Sequence, residues 1–565
     1  MRRWVYPKNN YSHLKKATML DDLTLQILTN RGIDTPDKID KFLNGNLNHL
    51  YNTKDMKDAE KGVNIIKEAI LNKEHIVVYG DYDADEALAC VIAVSALRNL
   101  GANVDYYTNN RFTQGYGMMR SGIDEILIRY PDTKLIITVD NGISAFDGVN
   151  YAKEKGLKVV VTDHHEQGEV LPNADAVIDP KRKDETYPCK YLCGTGVIWK
   201  IMLLLYWEMD VDLQFLYDKL DIVAMATVGD IVPLIDENRI LVKEGIKRIK
   251  EEKNPTFRIL REVTEVTEIN AHYTLGFVYV PMINAVGRLD GSVSLAIEMF
   301  LSEDEDRIKK IVSYLKSVND RRKELTSMQE EEGERLLAKK GVKEIIIIHS
   351  ETFHEGIVGL VSGRLKETYN RPTIVLKEED GILKGSARSI PGLHMKEALD
   401  ECADLLLSYG GHELACGLSL ESKNFEAFED RLISIAKREL TEEDFIKKYH
   451  IDSVLRVSDF SIDIVDTLKA LEPFGASFEK PIIMVSDFKV NKVFFMGEEK
   501  NHVKLVGDNG LSLIIWREAS KYKDRGEPKL LRALGYPEIN VFNNNVNLQF
   551  TVDGDNFIEF KGKAS

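Results

Sequence analysis

The chain has 565 residues, 44% of them hydrophobic and 29% charged, with 75 lysines and arginines against 91 aspartates and glutamates and a formal net charge of −16. That length predicts three or four domains, and the composition is that of an ordinary water-soluble globular protein. The acidic surplus argues against broad, sequence-blind adhesion to nucleic acid, so a DNA-binding surface would have to be a local groove with modest, steeply salt-dependent grip.

The N-terminus, Met1-Arg2-Arg3-Trp4, is basic but lacks the apolar core of a secretory signal, and no stretch reaches the roughly 20 apolar residues of a membrane span. A cytoplasmic protein without membrane contact is expected. From about residue 75, short β-branched runs alternate with helical patterns: strands at 76–79, 104–107, 134–139 and 158–162, helices at 87–100, at 121–130 and before Gly156. Continuous apolar strands separated by helices predict a parallel sheet covered on both faces. Residues 201–207, the most apolar run, stop at Glu208 and predict a buried helix. The five cysteines are few and odd in number, which speaks against a disulfide framework. Cys189 and Cys193 lack a second Cys/His pair with zinc spacing, so they are expected to be buried thiols.

Residues 304–339 carry apolar positions at helical spacing (Ile308, Ile311, Leu315, Val318, Leu325, Met328). Such a helix, about 36 residues at about 1.5 Å each, would reach about 54 Å and join two domains. A second α/β pattern opens at 344–348. After about residue 455 alternating strands follow (482–490, 493–496, 502–506, 513–516, 541–552), which predicts a small C-terminal β-barrel. The expected division is an N-terminal segment 1–55, a parallel-sheet domain 56–245, a helical linker region 246–340, a second α/β domain 341–445 and an OB-like domain 450–565.

The informative feature is where the acids fall. Strand one runs into Gly80-Asp81-Tyr82-Asp83-Ala84-Asp85, strand three into Asp140-Asn141-Gly142 and strand four into Asp163-His164-His165. In a parallel sheet all three sites meet at the carboxyl edge, where open α/β folds bind ligands. Taken singly, the first could be a solvated turn or a calcium loop, the second a turn and the third a capped helix start. Together they would repel one another unless cations were shared among them. Carboxylates mixed with imidazole suit Mn²⁺ or Mg²⁺. Two such ions about 3.5–4 Å apart would activate a water and neutralise the charge developing on a phosphodiester.

These three segments, with Ala226-Thr227-Val228-Gly229-Asp230-Ile231-Val232-Pro233-Leu234, resemble the four motifs of the DHH phosphoesterase superfamily. Segments 110–117, 284–289, Gly385-Ser386-Ala387-Arg388-Ser389, Gly410-Gly411-His412 and Leu471-Glu472-Pro473-Phe474-Gly475 are similar to the RecJ-type branch of single-strand exonucleases, over roughly residues 70–510. The resemblance implies a Rossmann-like DHH domain, a connecting helix, a DHHA1-like domain and an OB-like barrel. The implied activity is metal-dependent, 5′→3′ hydrolysis of single-stranded DNA in repair, recombination or replication, by a monomer partnered by a single-strand-binding protein or a helicase. It also implies Asp83, Asp85, Asp140, His164 and Asp230 as ligands of two Mn²⁺ or Mg²⁺ ions, with Asp85 and Asp140 bridging. Asp81 would be a further ligand or lie behind the ligands, and Asp163 and His165 would orient neighbours or meet the scissile phosphate. Arg111, Arg288, Ser386 and Arg388 would line a pocket for the 5′-terminal phosphate; Gly410 and Gly411 would let the backbone approach phosphate closely, and His412 would be a phosphate or metal-edge contact rather than a core histidine.

Two departures stand out. Glu86 and Leu88 occupy positions where the family usually has Gly and a small hydroxyl residue. Glu86 would begin a helix, where its charge is tolerated, and would either crowd the site or add a ligand. Ala476-Ser477-Phe478 replaces a Gly-Asn-Pro pattern. The basic residues of 243–261 would be one wall of a DNA channel or a solvated helix, and Phe494, Phe495 and Trp516 would divide between base stacking and core. Competing readings are a phosphodiesterase for short oligonucleotides, cyclic dinucleotides or pyrophosphate, whose members are shorter and lack the barrel, and a non-catalytic replication scaffold, whose members have lost ligands.

Overall fold

The structure is a computed structural model that describes residues 2–8, 10–507, 510–542 and 545–559. Helix α1 (Ala59–Leu71) leads into strand β1 (His75–Gly80). The chain then alternates through α2 (Ala84–Asn99), β2 (Asn103–Thr108), α3 (Arg120–Arg129), β3 (Thr133–Val139), α4 (Phe146–Glu154), β4 (Lys158–Thr162) and β5 (Ala176–Ile178). All five strands pair in parallel in the order β2-β1-β3-β4-β5. Along β1 and β3, Ile76, Val78 and Ile137 pack into one apolar layer, while Val77, Tyr79 and Ile136 pack into the other. This period of two explains why the strands read as unbroken apolar runs: both faces are covered by helices. The chain turns to opposite sides of β1 to place β2 and β3, so the crevice at their carboxyl ends is the topological switch point.

Helices α5 (Gly194–Glu208), α6 (Leu220–Gly229), α7 (Asp236–Glu251) and α8 (Val280–Leu289) enlarge the layer that holds α2. The apolar run 201–207 lies in α5 and is buried except at its end, where Trp207 is exposed under the Lys54 ammonium. Helix α9 (Glu305–Lys340) begins at Asp304, whose carboxylate accepts from the N–H groups of Asp306 and Arg307, and stops at Gly341. Its first turns, through Ile308, Ile311 and Leu315, belong to the core of the parallel-sheet unit, and Leu337 belongs to the core of the next. It bridges as expected.

That next unit holds β6 (Ile346–Ser350), α10 (Val358–Tyr369), β7 (Thr373–Glu379), β8 (Ile382–Arg388), β9 (Leu406–His412) and β10 (Ala415–Glu421). Its sheet runs β9-β10-β8-β7-β6, with only β6 and β7 parallel. The C-terminal unit is one seven-stranded sheet of β11 (Ser453–Arg456), β12 (Ile483–Lys489), β13 (Lys492–Met496), β14 (His502–Val506), β15 (Ser512–Ile515), β16 (Leu530–Phe542) and β17 (Asn545–Glu559), ordered β11-β12-β16-β17-β15-β14-β13.

Where one strand was expected over 541–552, the span crosses residues 543–544, which lie outside the described residues, and β16 and β17 pair antiparallel on either side. β16 escapes a sequence reading because Gly535 and Pro537 interrupt it, and both weaken a strand signal. The N-terminal residues Leu14, Leu25, Ile27, Leu28 and Phe42 share the apolar core of this C-terminal unit. Arg2–Val5 also pairs in parallel with Lys447–His450. The departure at 476–478 has a packing role: Phe478 is fully buried against Phe42, with the Arg31 guanidinium over its ring. All five cysteines are free and buried. Among the described residues no helix is long and apolar enough to cross a membrane.

Candidate metal centre

The acidic edge is built by specific local chemistry at each strand end. After β1, Asp83 caps α2: its carboxylate accepts from the N–H groups of Asp85 (2.8 Å) and Glu86 (3.2 Å), and Glu86 accepts in return from the Asp83 N–H (3.1 Å). This reciprocal pair is a capping box. Asp81 accepts from the Gly117 N–H (2.5 Å) with one oxygen, while its other oxygen is buried without a partner.

Asp85 is clamped from across the crevice by the start of α5. Its carboxylate accepts from the N–H groups of Gly194 (2.7 Å) and Thr195 (3.0 Å), an orientation favoured by the helix N-terminus. A side chain at Gly194 would bring its Cβ within 2.3 Å of Asp140 Cβ, so only glycine lets α5 approach this closely. Asp140, after β3, takes a left-handed backbone (φ 60°), an uncommon conformation that Asp tolerates better than most residues. The chain there is held by Thr138 Oγ1 donating to Asn141 O (2.6 Å) and Asn141 Nδ2 donating to Val139 O (2.9 Å). Asn-Gly is here part of a strand-end loop, not a hairpin.

After β4, Asp163 is completed by the protein. It accepts from the N–H groups of Ile143 (2.8 Å) and His164 (2.7 Å) and from His165 Nδ1 (2.7 Å). Asp230 follows α6 as its C-terminal cap and turns its carboxylate toward the same crevice. His164 Nε2 lies 2.9 Å from Asp140 Oδ1 and 3.5 Å from Asp230 Oδ2. Three overlapping groups can each hold a cation: Asp85, His164 and Asp230; Asp140, His164 and His165; and Asp83, Glu86 and Asp140.

The electrostatics follow from this crowding. Burial, then the charges of Asp85 and Asp83, pushes the Asp140 and Asp230 carboxyls well above the usual range. Asp81 is pushed up to about 7 by burial and by Asp83, and Asp85 is raised chiefly by burial. Burial and the neighbouring His165 pull His164 down to about 3. For His165 burial acts downward, but the Asp163 hydrogen bond and charge overcome it and hold the imidazole at about 9. Burial likewise acts upward on Asp163, and His165 reverses it to about 2.

The residues fit divalent cations. Asp140 Oδ1, both ring nitrogens of His164 and Asp230 Oδ2 are buried without hydrogen-bond partners, which native proteins rarely leave so unless something else satisfies them. Oxygen donors with one imidazole suit Mn²⁺ or Mg²⁺.

Elements from both units bring positive charge toward this edge: Arg111 follows β2, Arg288 lies on α8, and Arg388 ends β8 of the second unit. Asn284 on α8 accepts from the Ala84 N–H (3.0 Å), tying α8 to the start of α2. One turn on, Arg288 is within electrostatic reach of Asp83, Arg111 and Arg388, and burial followed by Arg111 lowers it to about 10. Arg388 donates to Ser386 Oγ (2.7 Å) on the same strand, β8. Arg111 stacks over the Tyr82 ring at 5.0 Å. Arg288 is thus the link: its field reaches Asp83 and Arg111 as well as Arg388, which holds Ser386. Gly410, Gly411 and His412 end β9 in an exposed hairpin, with His412 in the fields of Arg388 and Lys181.

The basic segment after 243 divides. Lys243, Lys247 and Lys250 line a cleft of about 1100 Å³ between the helical region and the C-terminal sheet, together with exposed Tyr273 and Phe277. Arg248, Lys253 and Arg258 pair with acids on the surface, and Lys247 of the cleft also pairs with Glu244. Phe494 and Trp516 are exposed, whereas Phe495 packs against the core. Leu88 points into the apolar core. The residues that sequence reasoning missed are Gly194, Thr195 and Asn284 in its role as a prop; Gly194-Thr195-Gly196 ahead of an apolar run was the available signal for the first two.

Residues 75–227 match the DHH family, N-terminal domain, 338–438 the DHHA1 domain and 451–554 the RecJ OB domain. The chain is 35% identical over 511 residues to the single-stranded-DNA-specific exonuclease RecJ of Bacillus subtilis (strain 168), covering 89% of this chain and 64% of that relative, less than two thirds of its length. It is 33% identical over 561 residues to the RecJ of Escherichia coli (strain K12), covering 94% of this chain and 96% of the relative. Among solved structures it resembles RecJ from Thermus thermophilus in complex with Mn²⁺, with a TM-score of 0.85 at 25% identity over 99% of this chain and 80% of that one. A crystal structure of exonuclease RecJ bound to manganese matches with a TM-score of 0.59 at 30% identity, over 69% of this chain and 98% of that one. With three domain matches in order and near-complete relatives above 30% identity, the chain belongs to the RecJ family of DHH proteins.

Proposed function

We propose that the chain hydrolyses single-stranded DNA from its 5′ end, with two Mn²⁺ or Mg²⁺ ions held by Asp83, Asp85, Asp140, His164 and Asp230. The observation that carries this reading is the pairing of two unlike sites across one crevice. An acidic edge with unpartnered buried donors lies beside a cluster of three arginines and a serine on the facing elements. Bound cations supply water activation and neutralise charge developing on the phosphodiester.

The protein's own groups do the rest. Guanidinium forks at Arg111, Arg288 and Arg388 match the oxygens of a terminal phosphate and set the strand's register. Ser386 is held beside Arg388 to accept or donate at the same phosphate. Asp163 keeps His165 protonated and oriented, which places a cationic donor at the acidic edge where phosphate oxygens would lie. Asp81, with one oxygen still unpartnered, would be a further ligand or lie behind the ligands. Gly410, Gly411 and His412 would meet the phosphate backbone at the exposed end of β9, and the lysine-lined cleft would steer the strand inward. The chain would act as a monomer, to which a single-strand-binding protein or a helicase would present the strand.

The test is digestion of 5′- and 3′-labelled single-stranded DNA, duplex and RNA, with 5′-phosphate and 5′-hydroxyl ends, in Mn²⁺, Mg²⁺ or EDTA. The expected result is metal-dependent release of 5′-terminal mononucleotides from single strands, weakened when the 5′-phosphate is absent or when Arg288 or Arg388 is replaced by Gln. Release indifferent to EDTA, or beginning at the 3′ end, would overturn the reading.

A further inference from the structure

Glu86 is the one residue of the acidic edge that departs from the family pattern, and the structure gives it a definite place. It is 1% exposed. One of its carboxylate oxygens lies with one from Asp83 and one from Asp140 inside a group whose donor atoms are all within 4.8 Å of one another. The same group contains Asp140, buried and with an oxygen that has no hydrogen-bond partner. A second group, Asp85 with His164 and Asp230, shares no residue with it. The acidic edge thus offers one donor set of carboxylates alone and one that includes imidazole, with the group of Asp140, His164 and His165 overlapping both.

Glu86 also accepts from the Asp83 N–H in the capping box of α2. That cap needs only a side-chain oxygen three residues into the helix, which Gln supplies as well as Glu. A carboxylate at this position is therefore more than the helix requires. Placed against Asp83 and the buried carboxylate of Asp140, a second buried carboxylate at Glu86 would be strongly unfavourable unless a cation were bound there.

We propose that Glu86 is a direct ligand of the cation held by Asp83 and Asp140, supplying through protein oxygen a coordination position that a glycine would leave to water. This deepens the two-ion reading and rests on it, but concerns only how one ion is held. The charge-rich sphere that results favours the ion that releases its waters more readily, Mn²⁺ over Mg²⁺.

The full-length protein should be titrated with Mn²⁺ alone, followed by calorimetry and by electron paramagnetic resonance, with no nucleic acid present. Wild type is expected to bind two ions that couple magnetically. Glu86→Gln, which keeps the cap, is expected to weaken one of the two ions by at least about tenfold and leave the other unchanged, and to narrow the Mn²⁺ over Mg²⁺ preference. Two ions bound by E86Q with wild-type affinities would overturn the proposal.

A second measurement needs no variant. The other proposed ligands are all Asp or His, so wild type prepared with ¹³C-carboxyl glutamate can report only Glu86. A ¹³C hyperfine coupling at bound Mn²⁺ is expected, and its absence would overturn the proposal. Both readouts are independent of nuclease activity, so failure of the strand-degradation reading would leave them intact.

Discussion

Around α7 the protein buries Lys200, Glu237 and Arg239 and gives each its partners, whereas at the strand ends it buries Asp81 and Asp140 and leaves an oxygen of each unpartnered. Lys200 donates to Glu237 (2.5 Å) and to Tyr51 O (2.8 Å), and Glu237 also accepts from the Tyr51 N–H (2.8 Å) and the Tyr187 hydroxyl (2.6 Å). Arg239 donates to the carbonyls of Phe42, Leu471, Glu472 and Pro473, between the rings of Phe42 and Phe478. It thereby joins the parallel-sheet unit to the N-terminal segment and the C-terminal unit. Taking charge out of water costs several kcal/mol per ion in either place. Around α7 the chain itself offsets that cost, so the join is permanent. At the crevice the offset must come from outside, so the site stays open to cations.

The largest expected effect tests the incomplete region. Asp140→Asn should lower strand hydrolysis by about 10³-fold or more, since in the proposed mechanism several kcal/mol of charge stabilisation depend on the ions Asp140 would hold. In EDTA the same variant should melt at a higher temperature than wild type, because a repelled carboxylate has been removed. Calorimetry with and without Mn²⁺ checks the pair of outcomes, and a lower melting temperature in EDTA would break the comparison.

The converse holds at the completed region. Glu237→Ala leaves the Lys200 ammonium buried and unpaired and should cost about 3–5 kcal/mol of stability. The loss should be the same with Mn²⁺ or EDTA, read from denaturant midpoints. Dependence on metal would show that the two regions are not independent.

Asp221 is an intermediate case and carries the smallest effect. It is 2% exposed and accepts only from neutral donors, the Ile222 N–H and Asn254 Nδ2. Burial raises its carboxyl to about 6. The protonated form is favoured in the fold, so its contribution is present below pH 3.8 and is lost as pH rises through about 6. Asp221→Asn should therefore leave stability unchanged near pH 3.5 and raise it by on the order of 1–2 kcal/mol at pH 7 and above. A gain that did not grow with pH would show that the carboxylate is better solvated than its burial implies.

Much of the site was legible because its chemistry is punctual. Asp81, Asp140 and Asp163 each follow directly on a strand, with Asp83, Asp85 and His164 within the next five residues, and parallel pairing sends such residues to one edge whatever the rest of the chain does. Asp230 was legible only by resemblance, since it caps a helix and no periodicity marks it. Glu86 was left open between crowding and coordination. The structure resolves that it is buried, caps α2 and belongs to a carboxylate group with Asp83 and Asp140.

What the chain's sequence determined by itself is therefore local: five parallel-sheet pieces minus the three-residue β5, a bridging helix of the right length, and acids at strand ends. Tertiary structure decided the rest. Gly194 and Thr195 clamp Asp85 from more than a hundred residues away, α8 brings Arg288 to Asp83, and Leu14, Leu25 and Phe42 find their core in the opposite terminus. Hydrogen-bond periodicity and strand alternation are short-range and written residue by residue. Which buried surfaces meet depends on packing between elements, and for that no single segment carries the information.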